Sequence, residues 1–319
     1  MEIINIPTKG EIRRAAQALK DGHLVAFPTE TVYGLGADAT NEIAVSRIYS
    51  VKGRPTGHPL IVHISSFNQL DKWAIDIPEF AIKLAKEFWP GPMTLILKRS
   101  SLAKDFITGG QDNVGVRVPI QPVALALLAQ FDEIGGFGVA APSANRFGAV
   151  SPTNSKAVEE ELGKFLKEAD LILDGGQCQI GIESTIIDCT NNAPSVLRSG
   201  AITKEMIEKE TLTKVISSEN QINVKASGLL DSHYSPKAKV VLNTVALPGD
   251  GFLALENIPT PIGATRLAAP ATIEQFAMEL YGALRSGDQK EIKRIVVISP
   301  EGVGIAVGIR DRLSKAAAG

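Results

Sequence analysis

The chain has 319 residues, 44% of them hydrophobic and 21% charged, with a formal net charge of −2. This suits a globular protein of two domains, or one large one, with a sizeable core. The near-neutral balance supplies no global field for tight nucleic-acid or membrane binding, so any anion site has to be local.

No run approaches the roughly 18 apolar residues of a membrane span. The opening MEIINIPTKG has no signal-peptide pattern, and Cys178 and Cys189 form no C-x-x-C pair. The expectation is a cytoplasmic protein with reduced, bystander thiols.

Thr8 and Glu11 have capping-box spacing, and Ile12, Ala15, Ala16 and Leu19 follow on one helical face until Asp21-Gly22. HLVAF (23–27) reads as a buried strand. Helices are expected near 42–50, 66–73, 78–88, 121–131 and 153–163. Strands are expected at 60–64, 93–98, 114–118, 137–141, 171–174, 184–188 and 195–198. Several strands follow one another with no helix between, which favours an α/β fold with a twisted mixed sheet and flanking helices. Residues 209–238 are polar and broken by turn residues, as in a linker. Strands at 239–243, 251–256 and 294–299, with helices near 272–286 and 304–317, then make a small α/β unit. The expected division is 1–208, 209–238 and 239–319.

GLGADA (34–39) fits the dinucleotide fingerprint on paper, but PTETVY separates it from the strand end at Phe27 and no acidic strand end comes at the right distance. A structural turn is expected there. FPTETVYGL sets Thr29, Thr31 and an acid beside a strand end, either as a polar turn or where α/β sheets hold ligands. In KGRPTGHPLIVHI, Lys52 and Arg54 share a face if the segment is extended, fit to grip phosphate oxygens or to sit in solvent. His58 and His63 have no third ligand nearby, which disfavours a metal. Arg117, in the alternating VGVRVP, needs an anionic partner, whether a structural carboxylate or a ligand. APSANRFG puts Ser143 and Asn145 after a strand, to meet a ligand or to cap the next segment. GIESTIID and VLRSG put Ser184 and Arg198 at strand ends. Taken together, these groups suit a small acidic molecule carrying phosphates. P-loop, H-E-x-x-H and G-x-S-x-G patterns are absent.

In this order, FPTETVYGLG, KGRPTGHPLIVHI, WPGPMTLIL, VGVRVP, APSANRFGAVSPT, GIESTIID and VLRSG resemble the threonylcarbamoyl-AMP synthase family, with its YrdC-like catalytic domain. The family's K-x-R and S-x-N elements are met by Lys52/Arg54 and Ser143/Asn145, and DSHYSPKAKV resembles the junction with a small Rossmann-like second domain. The resemblance implies a nucleotidyltransferase that makes L-threonylcarbamoyladenylate and pyrophosphate from L-threonine, bicarbonate and ATP. Mg2+ would arrive with the ATP. A transient partner transferase would carry the threonylcarbamoyl group to adenosine 37 of tRNA.

The same resemblance implies catalytic roles for Lys52, Arg54, Ser143 and Asn145. Thr31, His63, Arg117, Ala141 and Ser184 would surround L-threonine, with Arg117 holding its carboxylate bidentately. Lys52, Arg54, His58, Asn113, Ser143, Asn145, Ser151 and Arg198 would meet ATP, with Tyr234 closing over it from the linker. No resident metal, covalent nucleophile or general base is assigned. An RNA-binding module is disfavoured by the neutral charge, and a carbamoyl-phosphate-using maturation factor by the lack of a cysteine-rich zinc module.

Overall fold

A computed structural model describes residues 1–216, 224, 226, 228 and 233–319. After β1 (Glu2–Asn5), the capping box closes as the spacing predicts. Thr8 N donates to Glu11 Oε2 at 2.7 Å and Glu11 N to Thr8 Oγ1 at 3.4 Å, which starts α1 (Lys9–Lys20). Gly22, at φ +84, lets the chain turn out of the helix. Next in the chain are β2 (Val25–Phe27), β3 (Gly34–Asp38), α2 (Glu42–Lys52), β4 (Ile61–His63), a 3-10 turn (Phe67–Gln69) leading into α3 (Leu70–Trp73), and α4 (Glu79–Phe88). After these come β5 (Met93–Lys98), α5 (Asp105–Thr108), β6 (Asn113–Arg117), α6 (Pro122–Glu133), β7 (Val139–Ala140) and α7 (Ser155–Leu162). β8 (Leu171–Asp174), β9 (Thr185–Asp188), β10 (Ser195–Arg198) and α8 (Lys204–Thr211) complete the first unit.

Its strands form one sheet in the order β1-β8-β2-β3-β7-β4-β6-β5-β9-β10. The pairing is mixed: β4 with β6 and β5 with β9 run parallel, whereas β2 with β3 and β5 with β6 run antiparallel. GLGADA is therefore not a turn but buried strand β3. Its glycines serve close approach, since a Cβ on Gly36 would stand 2.8 Å from Val139 Cγ1 and 2.9 Å from Phe27. β1, β3, α5 and α8 were not among the elements expected from the sequence.

The period of two divides the central strands cleanly. Leu35, Val62, Leu95, Val116, Ala140 and Ile187 enter the main core with Val45 and Ile48 of α2 and Leu84 of α4. The alternate residues, among them Gly34, Ile61, His63, Arg117, Ala141 and Ser184, face the other way and line a cavity. On that second face α1 and α6 cover the β8-β2 end, through Ala15, Leu19, Leu127 and Phe131 against Val25, Phe27 and Leu173. Each fully buried Leu or Phe there stabilises the fold by roughly 1.5–3 kcal/mol. The cavity lies on the part of the face that these helices leave uncovered.

The second unit holds β11 (Lys239–Leu242), β12 (Gly251–Leu253), β13 (Thr265–Ala268), α9 (Ile273–Gln289), β14 (Arg294–Val297) and α10 (Ile305–Ala317). Its sheet is parallel in the order β11-β14-β12-β13. Its core is continuous with the first unit: Phe276, Leu280, Tyr281, Ile309 and Leu313 share one apolar cluster with Val32, Val150, Ile182 and Tyr234. The middle of the expected 209–238 linker, from 217 to 232, lies largely outside the described residues.

Candidate active site

His63 and Arg117 end neighbouring strands in direct register, so both reach the cavity from the same level of the sheet. The His63 ring meets Phe27 edge-on, with centroids 5.9 Å apart. Burial, helped by the Arg117 charge, pushes His63 down to about 3, so it is neutral at physiological pH. Its Nδ1 is buried without a hydrogen-bond partner among the described residues. Thr31 Oγ1 lies 2.8 Å from Thr29 Oγ1 and accepts from Arg117 Nη1 at 3.0 Å.

Arg117 also has a structural carboxylate. Its Nη2 donates to Glu30 Oε1 at 2.5 Å, and its Nε donates to Gly91 O at 3.3 Å. Glu30 in turn accepts from Ile120 N. An open bidentate fork for a carboxylate ligand is thus not what the structure shows, because Glu30 takes one arm of the guanidinium.

Arg54 and Arg198 form the cationic side. Arg54 is 7% exposed, donates from Nη2 to Pro59 O at 3.1 Å and lies 5.7 Å from the Phe147 ring centroid. Burial lowers its pKa to about 10. Arg198 donates through Nε to Ser184 O and through Nη2 to Ser184 Oγ, both at 3.1 Å. The Ser184 hydroxyl also meets Thr94 Oγ1 at 2.8 Å. Burial likewise lowers the pKa of Arg198.

Thr31, Arg54, His63, Arg117, Ala141, Ser143, Ser184, Arg198 and Tyr234 all border this one cavity. Five other expected residues are not on its walls. Lys52 and Arg54 do not share an extended face, because Gly53 caps α2 in the left-handed region at φ +62 and turns the chain between them. Lys52 is instead buried behind the wall, where its Nζ donates to Ser143 O and Asn145 O, each at 2.5 Å. Burial, with Arg54 nearby, lowers its pKa well below the usual lysine value. Asn145 Nδ2 donates to Arg146 O and Ala149 O, so its side chain shapes its own loop. Ser151 Oγ donates to Glu183 Oε1 at 2.6 Å. The His58 ring packs against Phe147 at 5.4 Å, and its carbonyl accepts from Tyr49 Oη. Asn113 opens β6, four residues from Arg117 and roughly 13 Å away at strand rise, beside a separate small void.

Three residues of the site were not singled out from the sequence: Glu183, His233 and, through Glu183, Arg312. Glu183 Oε2 accepts from Tyr281 Oη at 2.9 Å and from Arg312 Nε at 2.7 Å. Burial pushes its carboxyl up, but Arg312 and Arg198 outweigh that and hold it down to about 2. His233 and Tyr234 stand together at the cavity, rings 4.1 Å apart, and Tyr234 stacks on Tyr281 at 5.8 Å. Burial lowers His233 to about 3 and raises Tyr234 to about 12. HY within DSHYSPKAKV was the available signal for His233. Glu183 had none beyond its place before Ser184.

Among the described residues, no three His, Cys, Asp or Glu side chains gather as metal ligands. The cavity presents guanidinium groups, hydroxyls and neutral imidazoles. Such a donor set fits a polyphosphate whose own oxygens hold a divalent cation.

Residues 17–200 match the Sua5_yciO_yrdC family model, described as telomere recombination, and residues 202–318 match the threonylcarbamoyl-AMP synthase C-terminal domain. The threonylcarbamoyl-AMP synthase of Pyrococcus abyssi is 40% identical across 98% of this chain and 97% of its own length. That of Bacillus subtilis is 37% identical across 97% and 93%. The crystal structure of P. abyssi Sua5 complexed with L-threonine superposes with a TM-score of 0.89 at 37% identity, covering 99% of this chain and 97% of that one. With both units matched along almost their whole length, the chain belongs to the threonylcarbamoyl-AMP synthase family.

Proposed function

We propose that this protein makes L-threonylcarbamoyladenylate and pyrophosphate from L-threonine, bicarbonate-derived carbon dioxide and ATP. The product serves the threonylcarbamoyl modification of adenosine 37 in tRNA, through a separate transferase. The observation that carries the reading is the convergence of Arg54, Arg198, Arg117 and neutral His63 on one cavity, in a chain 40% identical to a named synthase over nearly its full length. A reaction that consumes ATP and feeds tRNA modification belongs in the cytoplasm. Among the described residues no helix is long and apolar enough to cross a membrane.

The chemistry needs two bond-forming steps. Threonine's amine adds to carbon dioxide, forming a C–N bond and releasing a proton. A carbamate oxygen then attacks the α-phosphorus in line, and the bond to the bridging β-phosphate oxygen breaks as pyrophosphate takes the electron pair. Charge grows on the phosphoryl oxygens and on the leaving pyrophosphate. Arg54 and Arg198, fixed in a buried wall, are suited to stabilise it. Mg2+ held by the ATP oxygens would neutralise part of the same charge.

Threonine would lie against Thr31, His63, Arg117, Ser184 and the Ala141 backbone. The buried Nδ1 of His63 is able to accept a hydrogen bond from it. Ser143 borders the nucleotide side, and Lys52, Asn145 and Ser151 act from behind by holding the loop and wall that face ATP.

The test is pyrophosphate release by purified protein with ATP and Mg2+, omitting threonine or bicarbonate in turn. Release that requires both is expected. Release indifferent to either, or none with all present, overturns the reading.

A further inference from the structure

The link PTETVY between β2 and β3 carries its two threonine hydroxyls in a fixed order of donation. Arg117 stands at one end of that order and has only protons to give. Its Nε donates to Gly91 O at 3.3 Å, its Nη2 to Glu30 Oε1 at 2.5 Å and its Nη1 to Thr31 Oγ1 at 3.0 Å. At the other end, Thr29 Oγ1 lies 2.6 Å from Val32 O. A carbonyl oxygen only accepts, so the proton between them is the one that Thr29 owns. The amides of Thr31 and Val32 both point at the same Thr29 oxygen, each at 3.2 Å. Thr29 has no second proton for its 2.8 Å contact with Thr31 Oγ1, so in that contact Thr31 donates.

Protons thus run from Arg117 to Thr31, then to Thr29, then to the Val32 carbonyl, and neither end group is able to reverse its part. Thr29, Glu30, Thr31 and Arg117 are all buried, which leaves the order to the protein's own groups. Thr31 borders the cavity with its proton spent and one of its two lone pairs filled. The second lone pair is what it still has for a ligand. A carboxylate or phosphate oxygen would meet a second acceptor there, whereas an N–H or O–H would meet a partner. We propose that Thr29 is a positioning residue for the amino-acid substrate: by taking the Thr31 proton it keeps Thr31 an acceptor, which receives a hydrogen bond from threonine's amine or side-chain hydroxyl. This inference rests on the reading of the cavity given under Proposed function. It adds the sense of one hydrogen bond, and it leaves the substrate carboxylate to donors elsewhere on the wall.

The experiment measures steady-state pyrophosphate release, with threonine and ATP varied separately, for the wild type and four variants. Wild-type release that depends on threonine and bicarbonate first secures the reaction itself, so a failure there is distinct from a failure of this inference. Thr29→Val keeps the bulk and removes the hydroxyl, which frees the Thr31 proton. It should raise the KM for threonine about tenfold or more and move the KM for ATP less than about threefold. Thr29→Ser keeps the hydroxyl and should stay within about threefold of wild type on both.

The decisive comparison is Thr31→Val with the double variant Thr29→Val and Thr31→Val. If Thr29 acts through Thr31, the double variant should stay within about threefold of Thr31→Val in the KM for threonine, whereas a merely structural loss would add. L-2-aminobutyrate, which is threonine without its hydroxyl, identifies the donor. A Thr29→Val loss seen with threonine and absent with L-2-aminobutyrate supports the proposal with the hydroxyl as donor, and an equal loss with both supports it with the amine. A folded Thr29→Val protein within about twofold of wild type overturns the proposal. So does an equal rise in both KM values, or a double variant in which the two losses add in full. Should Thr29→Val fail to fold, Thr29→Ala, which sets no methyl against the Val32 carbonyl, is read in the same way.

Discussion

Lys52→Met separates two accounts of the residue that the sequence left joined. Lys52 is 2% exposed, and its ammonium donates to the carbonyls of Ser143 and Asn145. Methionine fills the same space but donates nothing, so two buried acceptors lose their partner at about 1–3 kcal/mol each. The variant also removes a buried charge whose own desolvation opposes folding. The net loss should therefore fall in the lower half of that sum, about 2–4 kcal/mol. Trp73 and Trp89, both in the first unit, report its urea unfolding by fluorescence. With a urea slope of about 1–3 kcal/mol per molar, the midpoint should drop by roughly 1 M or more. The loop that bears Ser143 should loosen too, lowering kcat/KM for ATP by about 10- to 100-fold, as displacement of a positioning element does. An unchanged midpoint with ATP affinity lost would sink this account and return Lys52 to direct phosphate contact.

Stability should also fall on mild acidification, through His63 and His233. Both fold with a pKa of about 3, against 6.5 when unperturbed. The unfolded chain therefore binds more protons between those values. The stability they contribute is complete above about 6.5 and is lost as pH falls toward about 3. Between pH 7 and pH 5 each should remove about 2 kcal/mol, and His63→Gln or His233→Gln should each flatten about half of the combined drop in urea stability. A pH-independent wild-type midpoint over that range contradicts the burial of both rings as neutral imidazoles. Gly181→Ala probes the seam between the units. Gly181 has φ +83, and an added Cβ would stand 2.4 Å from both Ala277 O and Met278 Cα on α9. Left-handed strain and backbone collision together should cost about 2–5 kcal/mol. The shift of α9 should displace Tyr281 from Glu183, so activity should fall even at temperatures where the protein stays folded. A fully stable, fully active alanine variant would show that α9 is not fixed against the first unit at this point.

What the sequence made legible divides according to how far away each residue's partner lies. The capping box at Thr8 and Glu11 spans three residues and formed as spaced. The alternation in LIVHI and VGVRV is local as well, and it put His63 and Arg117 on the face away from the core. GLGADA failed because its neighbours are distant in sequence. Its glycines read as a turn, but strands β2 and β7 on either side make them the residues that permit close packing. Lys52, likewise, meets carbonyls 91 and 93 residues on, and Glu183 meets an arginine 129 residues on. Residue type alone placed a cation near an anion site in the first case and gave no signal in the second.

Those two long-range contacts belong together. Lys52 is a charge that the motif alone would aim at the substrates, and the fold commits it to the wall behind them; Glu183, which carried no such signal, lines the cavity with its charge already met by Arg312. Lys52 supports the Ser143–Asn145 loop from inside the first unit, and Arg312 neutralises Glu183 from the second. Arg54, Arg117 and Arg198 line the cavity, and burial lowers the pKa of Arg54 and Arg198, a cost that a bound polyphosphate would relieve. Rigid backing is what makes such a surface useful, because donors that need no reorganisation stabilise developing charge far better than mobile ones. The Lys52→Met variant tests that account, because Lys52 would then bear on turnover without touching a substrate.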